Sequence, residues 1–324
     1  MRGGVCAAVF AACFALNSGP ASAYTALFAF GDSLSDAGNA FIASGGTIPA
    51  SPYVDGHFSN GPTWVEDLSV DLGLGTLKPS LAGGTDFAIG GATTADLGAE
   101  VAAFEAYAAL AHLTPATLNG ALFTLDIGAN DILDALSDPA TAAAVVTAAA
   151  NSAAGEVEAL HADGAQSFLY YEVPQLGLTP DVEALGSGAE AFADTLAQLF
   201  NATLLGALAP VETGSDALKV FTLDTYDLLG DTVADPNRYG FSNVINPCID
   251  TPACVSASQS VQDTYLFWDG LHPTEGGHML AADLAYGLVA PEPSTWAMMF
   301  VGFAGLGFAG WRARRAATAR VCQA

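Results

Sequence analysis

A short apolar run that ends abruptly in a polar turn is the feature that most constrains this chain. The run spans residues 25–30, and residues 31–39 (GDSLSDAGN) follow it at once. A short apolar run with such a boundary is typical of a buried strand in a parallel sheet. In open α/β sheets, ligands bind just beyond the carboxyl ends of the strands. Ser33 therefore occupies a position suited to a nucleophile, although an isolated Gly-Asp-Ser is more often only a turn.

Further strands alternate with helices along the rest of the chain. Strands are predicted at 85–94 (ending in a glycine turn), 122–127, 167–173 and 218–223, and helices at about 95–112, 139–162 and 189–208. This alternation predicts a parallel sheet with helices on both faces. No linker interrupts the sequence, so we expect a single domain over residues 24–290.

Chemically useful residues follow three of these strands: Ser33, Gly91 and Asn130. Neighbouring strands of such a sheet are expected to bring them to one crevice. Asp269 and His272 lie three residues apart before a final helix, a spacing that presents both side chains on one side of a turn. Acyl transfer by a serine needs a base, an acid that orients the base, and donors for the oxyanion. These five residues could supply all of those groups.

Four sequence blocks, in order, resemble those of the GDSL (SGNH) hydrolase family, in particular its secreted esterase and lipase type. The blocks are residues 30–36 (FGDSLSD), 90–94 (GGATT), 128–131 (GAND) and 269–272 (DGLH). The resemblance covers nearly the whole predicted domain. It implies an α/β, flavodoxin-like three-layer fold with a central parallel sheet of about five strands. It also implies hydrolysis of small-molecule or lipid acyl esters, with no cofactor and no metal.

The resemblance implies a role for each residue of a catalytic triad, namely Ser33 as nucleophile, His272 as base and Asp269 as the group that orients the base. The oxyanion hole is then expected to consist of the Ser33 backbone N–H, Gly91 and the side chain of Asn130. Gly90 is the alternative to Gly91 as a donor. Gly91 is preferred because it directly precedes the small-residue and threonine turn.

Two other functions remain open from the sequence. One is a carbohydrate acetylesterase that acts on matrix polysaccharide, and the other is a non-catalytic surface or matrix protein that retains the fold. The intact Ser33, Asp269 and His272 argue against the second. A metal-assisted hydrolase built on Asp269, His272 and His278 would leave Ser33 and Asn130 without a role.

A Gly/Pro/Ser-rich stretch over residues 43–62 contains Tyr53, His57 and Phe58. Loops of this length inside a compact domain are usually functional or disordered. Its aromatic residues are therefore predicted either to line a substrate pocket or simply to cover the domain.

The charge balance excludes nucleic acid as a partner. The formal net charge is −26, and residues 24–290 contain three basic and 33 acidic residues. Such a surface repels polyanions and suits an exported protein that must stay soluble.

Residues 1–23 follow the pattern of a signal peptide, with Arg2 at the start, an apolar core at 5–16 and Ala-Ser-Ala before the cleavage site. A lipoprotein signal ending at Cys13 is the alternative. Because an exported chain meets oxidising conditions, Cys248 and Cys254 are predicted to form a disulfide. A metal site there is the weaker alternative, since no matching His/Cys cluster accompanies the pair.

The C-terminal residues 291–324 begin with Pro-Glu-Pro, continue with an apolar run at 295–311 and include three arginines directly after it. The run is near the lower limit for a membrane span, and the arginines fit a cytoplasmic end. This tail resembles the PEP-CTERM sorting signal. The resemblance implies recognition by an exosortase-type protease, only transient membrane contact or anchoring through 295–311, and delivery to the cell surface or extracellular space.

Overall fold

The computed structural model describes residues 24–214 and 217–290, together with residues 302, 303 and 305–308. The predicted signal peptide and most of the predicted sorting tail lie outside these residues. Within the part described, none of the helices combines the length and the apolar character that crossing a membrane requires.

A parallel sheet forms the centre of the domain. Its strands are β1 (Leu27–Gly31), β2 (Leu122–Asp126), β3 (Ser167–Tyr171) and β4 (Lys219–Leu223). They are hydrogen-bonded in the order β1-β2-β3-β4, with Leu27 opposite Leu122, Leu122 opposite Ser167, and Ser167 opposite Lys219. The α/β class and the parallel sheet predicted from the alternating pattern are therefore confirmed.

The strands are connected and flanked by α-helices. In chain order these are α1 (Asn39–Ala43), α2 (Trp64–Asp71), α3 (Leu97–Leu110), α4 (Pro115–Leu118), α5 (Ala129–Ala135), α6 (Ala142–Asp163), α7 (Pro180–Glu183), α8 (Ser187–Leu208), α9 (Thr225–Ala234), α10 (Pro252–Val255), α11 (Gln259–Gln262) and α12 (Glu275–Val289). Single 3₁₀ turns occur at Ser80–Ala82, Leu176–Leu178 and Pro236–Tyr239. The helices predicted from sequence correspond to α3, α6, α8 and α12.

The segment predicted as a second strand, residues 85–94, is not a regular strand. It runs beside β1, where the Phe87 N–H donates to Ala29 O at 2.7 Å and the Ile89 N–H to Gly31 O at 2.9 Å. In the part described, only one bridge to β1 forms, between Ala29 and Asp86, because the next β1 donor, the Gly31 N–H, donates to Glu100 Oε2 at 2.9 Å instead of to this segment. Over the described residues, the sheet therefore has four strands rather than the predicted five. The segment still occupies the edge next to β1, which gives the spatial order of a flavodoxin-like sheet.

Alternate strand residues face two different apolar layers. Phe28 and Phe123 belong to a core cluster completed by α3, α5, α6 and α8. Leu27 and Leu122 belong to a second cluster completed by α2 and α12. Because successive residues of a strand point to opposite faces, the sheet is covered on both sides. The three-layer arrangement is thus the one predicted.

Helix α2 is fixed behind the end of β1 by polar contacts. Its N-terminus has a capping box, in which Thr63 and Glu66 bond reciprocally. The Trp64 indole N–H donates to Ser35 Oγ at 3.0 Å, and the Trp64 backbone N–H donates to His278 Nδ1 at 3.3 Å. Burial lowers the pKa of His278 to about 3. His278 is therefore a neutral, buried residue of α12.

The two cysteines of the Pro-containing loop lie at disulfide-bonding distance, with Cys248 and Cys254 sulfurs 2.01 Å apart. They pack with Trp268 in a small cluster that Tyr53 also contacts. The Cys248 N–H donates to the carbonyl of Phe267 at 2.9 Å. This loop therefore supports the backbone just before Asp269.

Candidate active site

Strand β1 ends in a turn that requires glycine. Gly31 has φ +140°, and a Cβ at this position would lie 1.9 Å from the backbone oxygen of Asp126 on β2. The absence of a side chain lets β1 stay against β2 until the chain turns. Ser33 follows two residues later, with only 7% of its surface exposed. The turn thus holds the serine at the carboxyl edge of the sheet.

Ser33, His272 and Asp269 form one hydrogen-bonded chain. His272 Nε2 lies 2.7 Å from Ser33 Oγ, and His272 Nδ1 lies 2.7 Å from Asp269 Oδ2. Asp269 Oδ1 accepts the backbone N–H groups of Leu271 and His272 at 2.8 and 2.7 Å, which closes the turn between the two side chains. One imidazole nitrogen can accept the serine proton while the other stays bonded to the carboxylate.

The pKa of Asp269 is lowered to about 2. Burial alone would raise it, but the hydrogen bond and charge of His272, its backbone N–H, and the Tyr53 hydroxyl together outweigh burial. The carboxylate is therefore ionised near neutral pH, as an imidazolium partner requires.

The backbone N–H groups of Ser33 and Gly91, both in the predicted oxyanion hole, have no hydrogen-bond partner among the described residues. The Gly90 N–H, by contrast, donates to Asp36 Oδ2 at 2.7 Å. Gly91 has φ +83°, a conformation that favours glycine. These observations favour Gly91 over Gly90 as the donor.

Asn130 lies in the first turn of α5, directly after β2. Its Nδ2 donates to Ala92 O at 2.9 Å and lies 3.4 Å from Asp32 Oδ2. The first bond fixes the amide against the turn that carries Gly91. The contact with Asp32 is long, so the Nδ2 hydrogen that points towards Asp32 is the one that could be donated to an oxyanion instead.

Carboxyl groups lie buried beneath the serine. Burial raises the pKa of Asp32 to about 7 and raises that of Asp126 well above its ordinary value, with Asp32 adding to the second shift. Asp126 Oδ2 accepts the hydroxyl of Ser35 at 3.1 Å. These acids belong to the framework of the turn, and sequence reasoning gave them no role.

Two aromatic residues of the 43–62 stretch also reach the site. The Tyr53 hydroxyl donates to Asp269 Oδ2 at 2.6 Å. The centroid of the Phe58 ring lies 5.4 Å from that of the His272 ring. A Cβ on Gly90 would lie 2.1 Å from the Phe58 ring. The length and aromatic content of the stretch indicate a pocket wall or a cover, but they do not identify these contacts.

A mainly apolar cavity of about 70 Å³ opens beside Ser33 and His272. Its walls include leucines of α9 and α12, among them Leu228, Leu229 and Leu280. An apolar cavity next to a nucleophile suits the hydrocarbon part of a ligand.

The chain resembles known proteins over most of its length. It is 29% identical over 306 residues to an uncharacterised protein of Pseudomonas putida, covering 83% of this chain and 49% of that protein. It is 26% identical over 284 residues to the thermolabile hemolysin of Vibrio parahaemolyticus, covering 79% of this chain and 61% of that protein. The chain thus spans about half to three-fifths of the length of these relatives.

An acetylxylan esterase from Geobacillus stearothermophilus is similar in structure, with a TM-score of 0.44 and 14% identity over 83% of this chain and 95% of that one. The profile of the PEP-CTERM protein-sorting motif matches residues 289–315, as the sequence of the tail predicts. The profile of the GDSL-like Lipase/Acylhydrolase family matches residues 27–285. With four motif blocks in order and most of the chain inside that match, the protein belongs to the GDSL-like lipase/acylhydrolase family.

Proposed function

We propose that this protein is an exported serine esterase or lipase that hydrolyses carboxylic acyl esters through an acyl-enzyme. The observation that carries the proposal is the continuous chain from Ser33 Oγ through His272 to Asp269, with both contacts at 2.7 Å. The family membership supports the same chemistry.

In the first step, Ser33 Oγ attacks the ester carbonyl carbon and its proton passes to His272 Nε2. Asp269 keeps the imidazole oriented and stabilises the imidazolium. The oxyanion accepts hydrogen bonds from the backbone amides of Ser33 and Gly91 and from Asn130 Nδ2.

In the second step, the tetrahedral intermediate collapses and His272 returns the proton to the leaving alcohol. Water then attacks the acyl-enzyme, with His272 as the base, and releases the carboxylic acid and free Ser33. The atoms of this sequence balance with water as the only co-substrate.

The cavity beside the nucleophile favours an acyl chain longer than acetyl. Each methylene transferred from water to an apolar wall gains about 0.8 kcal/mol, and leucines of α9 and α12 form such a wall in this cavity. Carboxylic esters of apolar chains are therefore better supported than acetylated carbohydrate.

The test is a comparison of wild-type protein, Ser33→Ala and the control Ser137→Ala on p-nitrophenyl acetate, butyrate, octanoate and palmitate. Ser137 is an exposed residue remote in sequence from the triad. We expect Ser33→Ala to remain folded and lose ester hydrolysis, whereas the control retains it. Near-normal hydrolysis by folded Ser33→Ala would contradict the serine mechanism, and a preference for acetate would contradict the acyl assignment.

The sorting motif supports recognition by an exosortase-type protease and delivery to the cell surface or extracellular space. The strongly acidic domain is repelled by anionic lipid, so any membrane contact depends on residues 295–311 and is transient if the tail is removed. C-terminal sequencing of the native protein tests this, since recovery of Ala324 would indicate a permanent anchor.

A further inference from the structure

Tyr53 contacts the catalytic chain from the side opposite the serine. Its hydroxyl donates to Asp269 Oδ2 at 2.6 Å, across 216 positions of sequence. The same oxygen lies 2.7 Å from His272 Nδ1. Tyr53 and His272 therefore share one acceptor, so any change in the tyrosine hydroxyl acts directly on the oxygen that orients the base.

The ring of Tyr53 is held by aromatic neighbours. It packs edge-on against Trp268, with centroids 6.4 Å apart, and against Phe58, with centroids 6.3 Å apart. Burial and the carboxylate of Asp269 raise the pKa of Tyr53 above its ordinary value. The hydroxyl is thus a protonated, prepositioned donor over the working pH range.

The hydroxyl completes the restraint of the Asp269 carboxylate. Two backbone N–H groups hold Oδ1, whereas Oδ2 is held only by Tyr53 and His272 among the described residues. Without Tyr53, the only bond that fixes Oδ2 would be the one to the imidazole that it must itself orient. A donor on the carboxylate also disperses its negative charge, which weakens its hold on the imidazolium.

We propose that Tyr53 is a positioning residue of the hydrolase, which fixes the Asp269 carboxylate against His272. This inference rests on the proposed serine mechanism. It assigns the 43–62 stretch a part in orienting the base, in addition to covering the domain.

The test is Tyr53→Phe, which keeps the ring and removes only the hydroxyl. Tyr265→Phe is the matched control, because Tyr265 belongs to the same cluster around Trp268 and makes no hydrogen bond through its hydroxyl among the described residues. For Tyr53→Phe we expect kcat to fall about tenfold at unchanged KM, as for loss of one hydrogen bond to a charged group. The control is expected to match wild type.

The pH profile gives a second readout that a merely structural role would not move. Without the hydroxyl, the full charge of Asp269 faces the imidazolium, so the acidic limb of kcat/KM is expected to move to higher pH. The other titratable groups acting on this cluster are Asp32, Asp181, Asp250 and His278. These groups are the same in wild type and in Tyr53→Phe, so a shift of the pH profile reports the loss of the hydroxyl alone.

A double-mutant cycle with Asp269→Asn completes the test. If Tyr53 acts through Asp269, its removal has little further effect in that background. A full tenfold loss there, or a wild-type pH profile in Tyr53→Phe, would overturn the proposal. If Ser33→Ala is inactive and Tyr53→Phe resembles wild type, only the role of Tyr53 is wrong; an active Ser33→Ala would remove the serine mechanism itself.

A measurement on the unsubstituted protein guards against misfolding of the variant. We expect the Tyr53 hydroxyl proton to exchange slowly with water in NMR spectra. Exchange as fast as that of an exposed tyrosine would overturn the proposal without any substitution.

Discussion

Two aspartates near His272 have pKa values that are shifted in opposite directions. Asp269, in the loop before α12, has its pKa lowered to about 2. Asp32, next to Ser33 at the end of β1, has its pKa raised to about 7 by burial. Both carboxyl groups are largely shielded from solvent, with the Asp269 side chain 15% exposed and Asp32 1% exposed.

The difference lies in the donors around each group. Asp269 accepts two backbone N–H groups, the Tyr53 hydroxyl and the His272 ring. The Asp32 carboxylate accepts, among the described residues, the Leu34 N–H at 3.1 Å and a long contact from Asn130. Burial dominates where donors are few, and donors dominate where they surround the group. A charged acid thus contacts His272, and a readily protonated acid lies next to Ser33.

The largest effect is expected when the Asp269 carboxylate loses its charge. For Asp269→Asn we expect turnover to fall roughly 10³- to 10⁴-fold, because the imidazole loses the anion that orients it. The measurement is kcat on the preferred p-nitrophenyl ester. Asp163→Asn, at an exposed acid at the end of α6, is the control and is expected to retain activity. A loss of only a few-fold at Asp269 would mean that its charge is not needed.

Asn130 allows the surroundings of Asp32 to be tested, because its side-chain amide contacts both the Asp32 carboxylate and the glycine turn at Ala92. Asn130→Ala is expected to lower kcat roughly 10²- to 10³-fold with little change in KM, the usual effect of losing one oxyanion donor. Asn151→Ala, at an exposed position of α6, is the control. A raised KM with unchanged kcat would identify Asn130 as a binding residue instead.

The smallest effect is expected in the pH dependence of the free energy of unfolding. Because the pKa of Asp32 is about 7 when folded and 3.8 ordinarily, the folded protein retains a proton that the unfolded chain releases. The resulting stability is complete below the ordinary pKa and is lost as pH rises to about 7. We expect the contribution of Asp32 to the free energy of unfolding to fall by about 2–3 kcal/mol from about pH 5 to about pH 8.

Urea denaturation at the two pH values measures this change. The contribution of Asp32 is the difference between wild type and Asp32→Asn, because the raised pKa values of Asp126, Asp86, Glu100 and Glu172 add a dependence of the same sign to both proteins. Equal pH dependence in the variant and in wild type would show that Asp32 is already ionised in the folded protein.

Sequence reasoning succeeds where residues follow apolar runs. Ser33 and Asn130 come directly after β1 and β2, and the carboxyl ends of parallel strands share one edge. Asp269 and His272 are close in sequence, so their mutual contact is local. The roles assigned to these residues remain predictions until the variants above are measured.

Other features depend on contacts that no local pattern records. Residues 85–94 are predicted to contain a strand, but the Gly31 N–H of β1 donates to the buried Glu100 carboxylate, distant in sequence, and regular pairing stops. Tyr53 meets an acid 216 positions away from within an aperiodic loop. The pKa of Asp32 depends on its burial, which outweighs the Leu34 N–H that it accepts, and the motif itself does not reveal this balance.

The packing of Phe58 against Gly90 limits how this site can be redesigned. The ring occupies the space that a side chain on Gly90 would need, while it also lies 5.4 Å from the His272 ring. The loop and the glycine turn are therefore complementary halves of one surface, not exchangeable modules. A library that varies both positions together is the one suited to recovering functional enzymes, and a loop transplanted from a relative has to bring its matching turn with it.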